Sequence, residues 1–256
     1  MQIEILGAHN CEIGEQKFAS LLIDGRLAID AGGLTRSLSL EAQQRLTAVL
    51  LTHHHYDHIR DIPAIAMNMF LNDSRVSIFS TEPVRQALAT HFLNGELYPR
   101  FLEEPEEKPT IEFTVVAPDS VTSVGDYTVT AVPMPHTIAA VGYQIIDTGG
   151  KSIFYTGDTG AGLGECWAKI SPQLLIIEVT APDKFQEWAL RAHHLTPGLL
   201  KQELLVFRQQ KGYLPRVVTV HTNPSLEGEI RQQLETLAAD LKDDIEMAYE
   251  GMRLEL

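Results

Sequence analysis

Apolar residues in this chain fall mostly into short runs closed by Gly, Pro, Asp or Asn, the pattern of buried or half-buried strands. Such runs occupy residues 3–6, 17–23, 26–29, 47–51, 76–79, 112–116, 127–132, 142–146, 152–155, 174–178 and 217–220. Longer segments with helical spacing of apolar residues cover 61–70, 83–92, 197–209 and 224–241. Two of these open on cap chemistry: Thr196 precedes Pro197 and Asn223 precedes Pro224, an N-cap followed by proline at the first helical position. Each half of the chain is strand-rich at first and then alternates strand and helix. That order predicts an α/β fold of two sheets packed face to face with helices outside. No repeat, low-complexity tract or linker interrupts residues 1–256, so one domain is expected; the polar stretch 103–109 reads as a solvated loop.

The run 47–51 leads directly into Thr52-His53-His54-His55-Tyr56-Asp57-His58. Within it, His53, His55, Asp57 and His58 are spaced H-x-H-x-D-H. Imidazole and carboxylate suit zinc and other first-row divalent metals, and a buried strand immediately before them puts rigid scaffold behind a metal site. Further groups of the same type follow other predicted strands: His136 after Val132, Asp158 in Thr156-Gly157-Asp158, and His221 after Val220. Ligands of layered α/β folds collect beyond the carboxyl ends of strands. Several strands delivering metal-type side chains to that end is stronger evidence than any one motif.

Charge and composition narrow the picture. The formal net charge is −14; bound divalent cations would offset part of it. An acidic chain lacks the basic footprint needed to grip long nucleic acid. No apolar stretch approaches the ~20 residues of a membrane helix, and Met1-Gln2-Ile3-Glu4 does not read as a secretory signal. The only cysteines, Cys11 and Cys166, are read most simply as free thiols in a reducing compartment, so a cytoplasmic location is expected.

Taken in order, these motifs resemble the metallo-β-lactamase superfamily over nearly the whole chain. The resemblance implies a four-layer αββα sandwich with a two-metal site at one edge of the paired sheets. His53, His55 and His136 would hold one ion, Asp57, His58 and His221 the other, and Asp158 would bridge them. Asp30, in Ile29-Asp30-Ala31-Gly32, would steer a ligand histidine. Glu178-Val179-Thr180, and His194-Leu195-Thr196 downstream, resemble the phosphodiesterase branch, which includes ribonuclease Z and the class II cyclic-nucleotide phosphodiesterases. The segments His194-Leu195-Thr196-Pro197, His91-Phe92-Leu93-Asn94 with Leu97-Tyr98-Pro99, and His221-Thr222-Asn223-Pro224 are nearer the latter. The chain departs from the family at Asp57-His58-Ile59-Arg60-Asp61, where a glycine usually stands at the last position. It also lacks the long basic insertion of many ribonuclease Z proteins.

The resemblance implies a dinuclear metal-dependent hydrolase, a phosphodiesterase of small phosphodiesters, with a 3′,5′-cyclic nucleotide as the best single substrate. Two divalent ions are implied, zinc foremost, with manganese or iron as alternatives. Paired metals lower the pKa of water toward ~7 and give a hydroxide that attacks phosphorus. Asp57, Glu178 and His194 are the catalytic candidates; His194 would assist the departing oxygen while Glu178 holds its ring, and the neighbouring His193 remains an alternative. The expected partner is a small phosphodiester, with no membrane and no long nucleic acid; a homodimer is left open. Rival readings are a tRNA 3′-processing endonuclease, a thioesterase of glyoxalase-II type, and an iron thiol dioxygenase or non-catalytic metal module. His54 and Tyr56 read as structural, and His9 and His91 as packing or pocket-wall residues. Trp167, Trp188 and Phe185 read first as packing and second as a base-stacking wall.

Overall fold

The computed structural model describes residues 1–256. Its strands are β1 (Gln2–Gly7), β2 (Ser20–Ile23), β3 (Leu27–Ile29), β4 (Ala48–Leu50), β5 (Val76–Ser80), β6 (Ile111–Val115), β7 (Val121–Val124), β8 (Tyr127–Met134), β9 (Ala140–Ile146), β10 (Ser152–Tyr155), β11 (Leu174–Glu178), β12 (Arg216–Val220), β13 (Ile245–Met247) and β14 (Arg253–Glu255). They form two seven-stranded sheets, ordered β14-β1-β2-β3-β4-β5-β6 and β13-β12-β11-β10-β9-β8-β7. In the first, β3 to β6 run parallel; in the second, β10 to β13 do.

The period-two alternation of strands explains the layering. In β11, Leu174 and Ile176 enter the core between the sheets, while Leu175 and Ile177 pack under the outer helices. In β2, Leu21 and Ile23 face inward and Leu22 faces outward. Helices Ile62–Leu71 and Glu82–His91 cover the first sheet; Pro197–Lys211 and Glu227–Leu241 cover the second. The result is the αββα sandwich expected from the sequence. No helix is long and apolar enough to cross a membrane.

The pattern of apolar residues missed β7, β13 and β14. All three are sheet edges, with few buried positions to create a pattern. It also missed Leu34–Ser37, Leu40–Gln44, Tyr56–Ile59, Gly164–Lys169 and Gln186–Ala192, helices too short to show a 3.6-residue period. The segment 224–241 begins as a 3-10 turn, Pro224–Leu226, and becomes α-helical at Glu227. β8 continues past the expected Val132 through Pro133, which pairs with Val141. The strand tolerates proline there because β7, its other neighbour, pairs only with residues up to Thr130.

Candidate metal centre and active site

One edge of the sandwich receives the loops that leave the strands. Asp30 follows β3, Thr52 and His53 follow β4, His136 follows β8, Asp158 follows β10 and His221 follows β12, while Glu178 is the last residue of β11. Asp30 (φ 56°) and His221 (φ 61°) adopt left-handed backbone, a conformation that non-glycine residues keep only where their surroundings enforce it. Gly32 allows the 53–58 loop to seat: a Cβ there would lie 1.9 Å from the Asp57 carbonyl oxygen. At the position where the family usually has glycine, Asp61 is buried, accepts from the Thr35 amide (2.7 Å) and pairs with Arg60 (2.8 Å). Arg60 reaches on to Glu12 (2.6 Å). Side-chain bonds therefore secure this turn.

Two groups of donor atoms converge. In the first, His55 Nδ1 lies 3.0 Å from His53 Nε2 and 3.1 Å from His136 Nε2. Those separations approach the ~3.3 Å edge of a tetrahedron with ~2.0 Å metal–nitrogen bonds. In the second, His221 Nε2 lies 3.2 Å from Asp57 Oδ2, and His58 Nε2 lies 3.5 Å from that same oxygen. Asp158 joins the groups through different oxygens. Oδ2 is 3.8 Å from both His53 Nε2 and His136 Nε2, and Oδ1 is 3.1 Å from His58 Nε2 and 3.3 Å from His221 Nε2. All seven side chains read from the sequence as ligands thus meet in one place, and both groups can hold a metal ion.

Hydrogen bonds on the outer side decide which ring nitrogen faces inward. The Thr52 hydroxyl donates to the Asp30 carboxylate (3.0 Å), so its oxygen accepts from His53 Nδ1–H (3.0 Å) and His53 Nε2 is left bare. On the other sheet, Thr180 donates to Glu178 Oε2 (2.7 Å) and accepts from His221 Nδ1–H (2.9 Å), leaving Nε2 bare. His58 Nδ1 donates to Asp30 Oδ2 (2.7 Å), and His136 Nδ1 to the His193 carbonyl (3.2 Å). Tyr155 donates to Asp30 (3.0 Å) and fixes that carboxylate in turn. Metal-bound histidines are held in this way. Thr52, Thr180 and Tyr155 were not read from the sequence as site residues. A lone hydroxyl at a strand end carries no distinguishing pattern, and only its neighbours in space give it a role.

The electrostatics fit a cation. Burial, reinforced by neighbouring histidines, pushes the pKa of His53, His55 and His136 down, keeping them neutral. For His58, burial acts downward, but the surrounding Asp158, Asp30 and Asp57 outweigh it and hold a proton on the ring. For Asp57, burial acts upward, but His58 and His221 hold its carboxyl at about 2. Asp158 is held well below the usual range against its burial by His221 and His58. His58 Nε2 and Asp158 Oδ1 face each other at 3.1 Å without hydrogen-bonding alignment, and neither has another hydrogen-bond partner, an arrangement that is costly unless something else satisfies them. A divalent cation among these atoms would satisfy both and take the place of the His58 proton.

Beside this cluster, His194 Nδ1 lies 2.6 Å from Glu178 Oε1. The His194 ring is stacked at 5.6 Å on His221 and at 5.8 Å on Trp188. His193 and His194 differ in position: His193 caps helix Gln186–Ala192 and gives its carbonyl to His136, while His194 faces the cluster. Burial acts downward on His194, but the charge and hydrogen bond of Glu178 raise its pKa to about 9. Trp167 is fully buried under the second sheet. Tyr56 stacks on Phe92 at the rim. His54 and His91 line a separate shallow pocket, and His9 is buried against Glu250. Both cysteines are free.

A family model described as the beta-lactamase superfamily domain matches residues 21–222, a span that holds every site residue named above. The chain belongs to this superfamily. Solved structures of superfamily fold superpose on nearly its full length at low identity. Unliganded yeast PDE1 gives a TM-score of 0.86 at 18% identity, covering 100% of this chain and 99% of that one. The metallo-beta-lactamase fold protein YhfI of Bacillus subtilis gives 0.80 at 16%, with the same coverage. The short form of human tRNase Z gives 0.69 at 17%, again covering 100% and 99%. A hydroxyacylglutathione hydrolase of Psychromonas ingrahamii is 31% identical over 88 residues, which is 31% of this chain and 33% of that protein. The superfamily membership and the His/Asp cluster make this chain a hydrolase of metallo-β-lactamase fold equipped to bind divalent metal.

Proposed function

We propose that the protein is a dinuclear metal-dependent phosphodiesterase acting on a small phosphodiester, most specifically a 3′,5′-cyclic nucleotide. His53, His55 and His136 would hold one ion, Asp57, His58 and His221 the other, and Asp158 would be shared; a histidine-rich set of this kind favours zinc. Bound there, the cations supply an acidified water and positive charge against the phosphate oxygens. The chain's own residues do the rest. The neutral imidazoles leave the loaded site positive toward an anionic ester. When attack at phosphorus breaks the P–O3′ bond, the departing alkoxide takes a proton from His194 Nε2. Glu178 holds that ring through Nδ1 and stabilises its charged form.

The Glu178–His194 contact at the cluster's edge carries this reading. A poor alkoxide leaving group needs such an acid, whereas a thiolate leaves more readily without one. Thioester hydrolysis is the second reading, favoured by the partial likeness to hydroxyacylglutathione hydrolase. Metal-quantified protein assayed against cyclic AMP, cyclic GMP, bis(p-nitrophenyl) phosphate, an acyl thioester and a tRNA precursor separates these readings. Turnover of a cyclic nucleotide is expected; turnover of the thioester alone would overturn the proposal.

A further inference from the structure

A pocket of about 340 Å³ opens beside the metal centre, with Asn10, Thr180, Phe185, Trp188, Asn223 and Leu226 among its walls. It is built from the same strand ends as the site. The backbone N–H of Asn10 donates to the Thr222 carbonyl, and the backbone N–H of Asn223 to that of Thr180, both at 3.3 Å. Thr180 belongs to both places, since its hydroxyl bonds Glu178 and His221. Any molecule in the pocket therefore lies one side chain away from the cage.

The walls specify the chemistry of the occupant. No charged side chain lines the pocket, in contrast to the cage next door, so it suits a neutral portion of the substrate. Trp188 and Phe185 are 44% and 41% exposed, while the other tryptophan, Trp167, is wholly buried. Large aromatic rings left open in a concave, uncharged site favour a flat partner. The Trp188 indole lies at 16° to the His194 ring, so its plane runs nearly parallel to the ring proposed as proton donor. Asn10 Oδ1 is shielded and without a partner, and a carboxamide can turn to serve the amino or carbonyl edge of a heterocycle.

We propose that this pocket holds the nucleobase of the substrate, stacked on Trp188, while the phosphodiester occupies the cage. The inference rests on the phosphodiesterase reading and assigns the residues that would distinguish nucleotide phosphodiesters from base-free ones.

Tryptophan fluorescence of the metal-loaded protein provides a test independent of turnover. Adenosine 5′-monophosphate should quench the exposed Trp188, and ribose 5-phosphate, which lacks the base, should not. Trp188→Ala should lose the response. In kinetics, the kcat/KM ratio of cyclic AMP to the methyl riboside 3′,5′-cyclic phosphate should fall on the order of 10-fold in Trp188→Ala, within the range of one base–aromatic stack. Trp188→Phe, which keeps a ring, should retain most of the ratio. Equal binding of both monophosphates, or an unchanged ratio in Trp188→Ala with cyclic AMP still turned over, would overturn the pocket and leave the phosphodiesterase reading standing. Base-dependent quenching with no phosphodiester turnover would support the pocket and overturn that reading.

Discussion

The Thr180 hydroxyl lies 2.9 Å from His221 Nδ1 and gives its single proton to Glu178 Oε2. One hydroxyl therefore ties the proposed proton donor's carboxylate to a proposed metal ligand. Thr180→Val keeps the volume and removes the acceptor that holds His221 in its tautomer. Metal affinity at the Asp57/His58/His221 position should fall by about 10- to 100-fold, the usual cost of losing such a partner. Thr180→Ser should restore it. Isothermal titration of the metal-free protein with zinc measures both, and equal affinities in all three proteins would remove Thr180 from the site's design.

His194 should matter in proportion to how poor the leaving group is. His194→Ala should lower kcat for a cyclic nucleotide by about 10²–10⁴-fold, the range for a positioned general acid. The loss should be far smaller for bis(p-nitrophenyl) phosphate, because p-nitrophenolate departs without a proton. Glu178→Gln should follow the same pattern more weakly. Equal losses on both substrates would make His194 a phosphate-binding residue instead.

Gly32 is where backbone packing and site geometry meet. In Gly32→Ala the new methyl would fall 1.9 Å from the Asp57 carbonyl oxygen and 2.5 Å from the Phe18 Cβ. Neither backbone nor Cβ can swing aside, so the 53–58 loop must shift. A stability loss of about 1–3 kcal/mol is expected for overpacking of this kind, together with weaker zinc binding. Chemical denaturation and zinc titration check the two effects, and a variant matching the parent in both would contradict the packing argument.

His9 and Glu250, paired at 2.7 Å, should shape stability against pH. Burial acts to lower the His9 pKa, but Glu250, helped by Glu227, raises it above 6.5. Burial acts to raise the Glu250 pKa, but His9 and the Lys17 amide lower it below 4.5. The histidine's contribution is complete below 6.5 and disappears as pH climbs through its folded-state pKa. The carboxylate's is complete above 4.5 and disappears as pH drops through its own. The pair should stabilise most between about 4.5 and 6.5. The difference in urea midpoint between the parent and His9→Gln should peak in that window and shrink at alkaline pH; a difference independent of pH would show that the pair contributes only packing.

Much of this was legible in the chain itself, for physical reasons. Central strands such as β4 and β11 are buried on both faces, so they appear as continuous apolar runs, and the proposed ligands His53, Asp158 and His221 stand just past such runs. Edge strands β7, β13 and β14 bury too little to leave a pattern. Thr52 and Thr180 acquire their roles only from Asp30 and Glu178 across the fold, which no local spacing reveals. The choice between His193 and His194 depended on the turn after Ala192, where His193 takes left-handed backbone (φ 54°) and His194 is directed to Glu178. Trp188 and Trp167 look alike in sequence, and only burial separates a pocket wall from a core residue.

Asp158 would be shared between two cations, with one carboxylate oxygen turned toward each group of donors. Metal analysis by inductively coupled plasma mass spectrometry, on the zinc-loaded parent and on Asp158→Ala after identical gel filtration, tests this most directly. Two zinc ions per chain in the parent and one or none in the variant is the predicted result. Two ions retained by the variant would exclude a bridging role for Asp158, and none held by the parent would exclude the two-ion site.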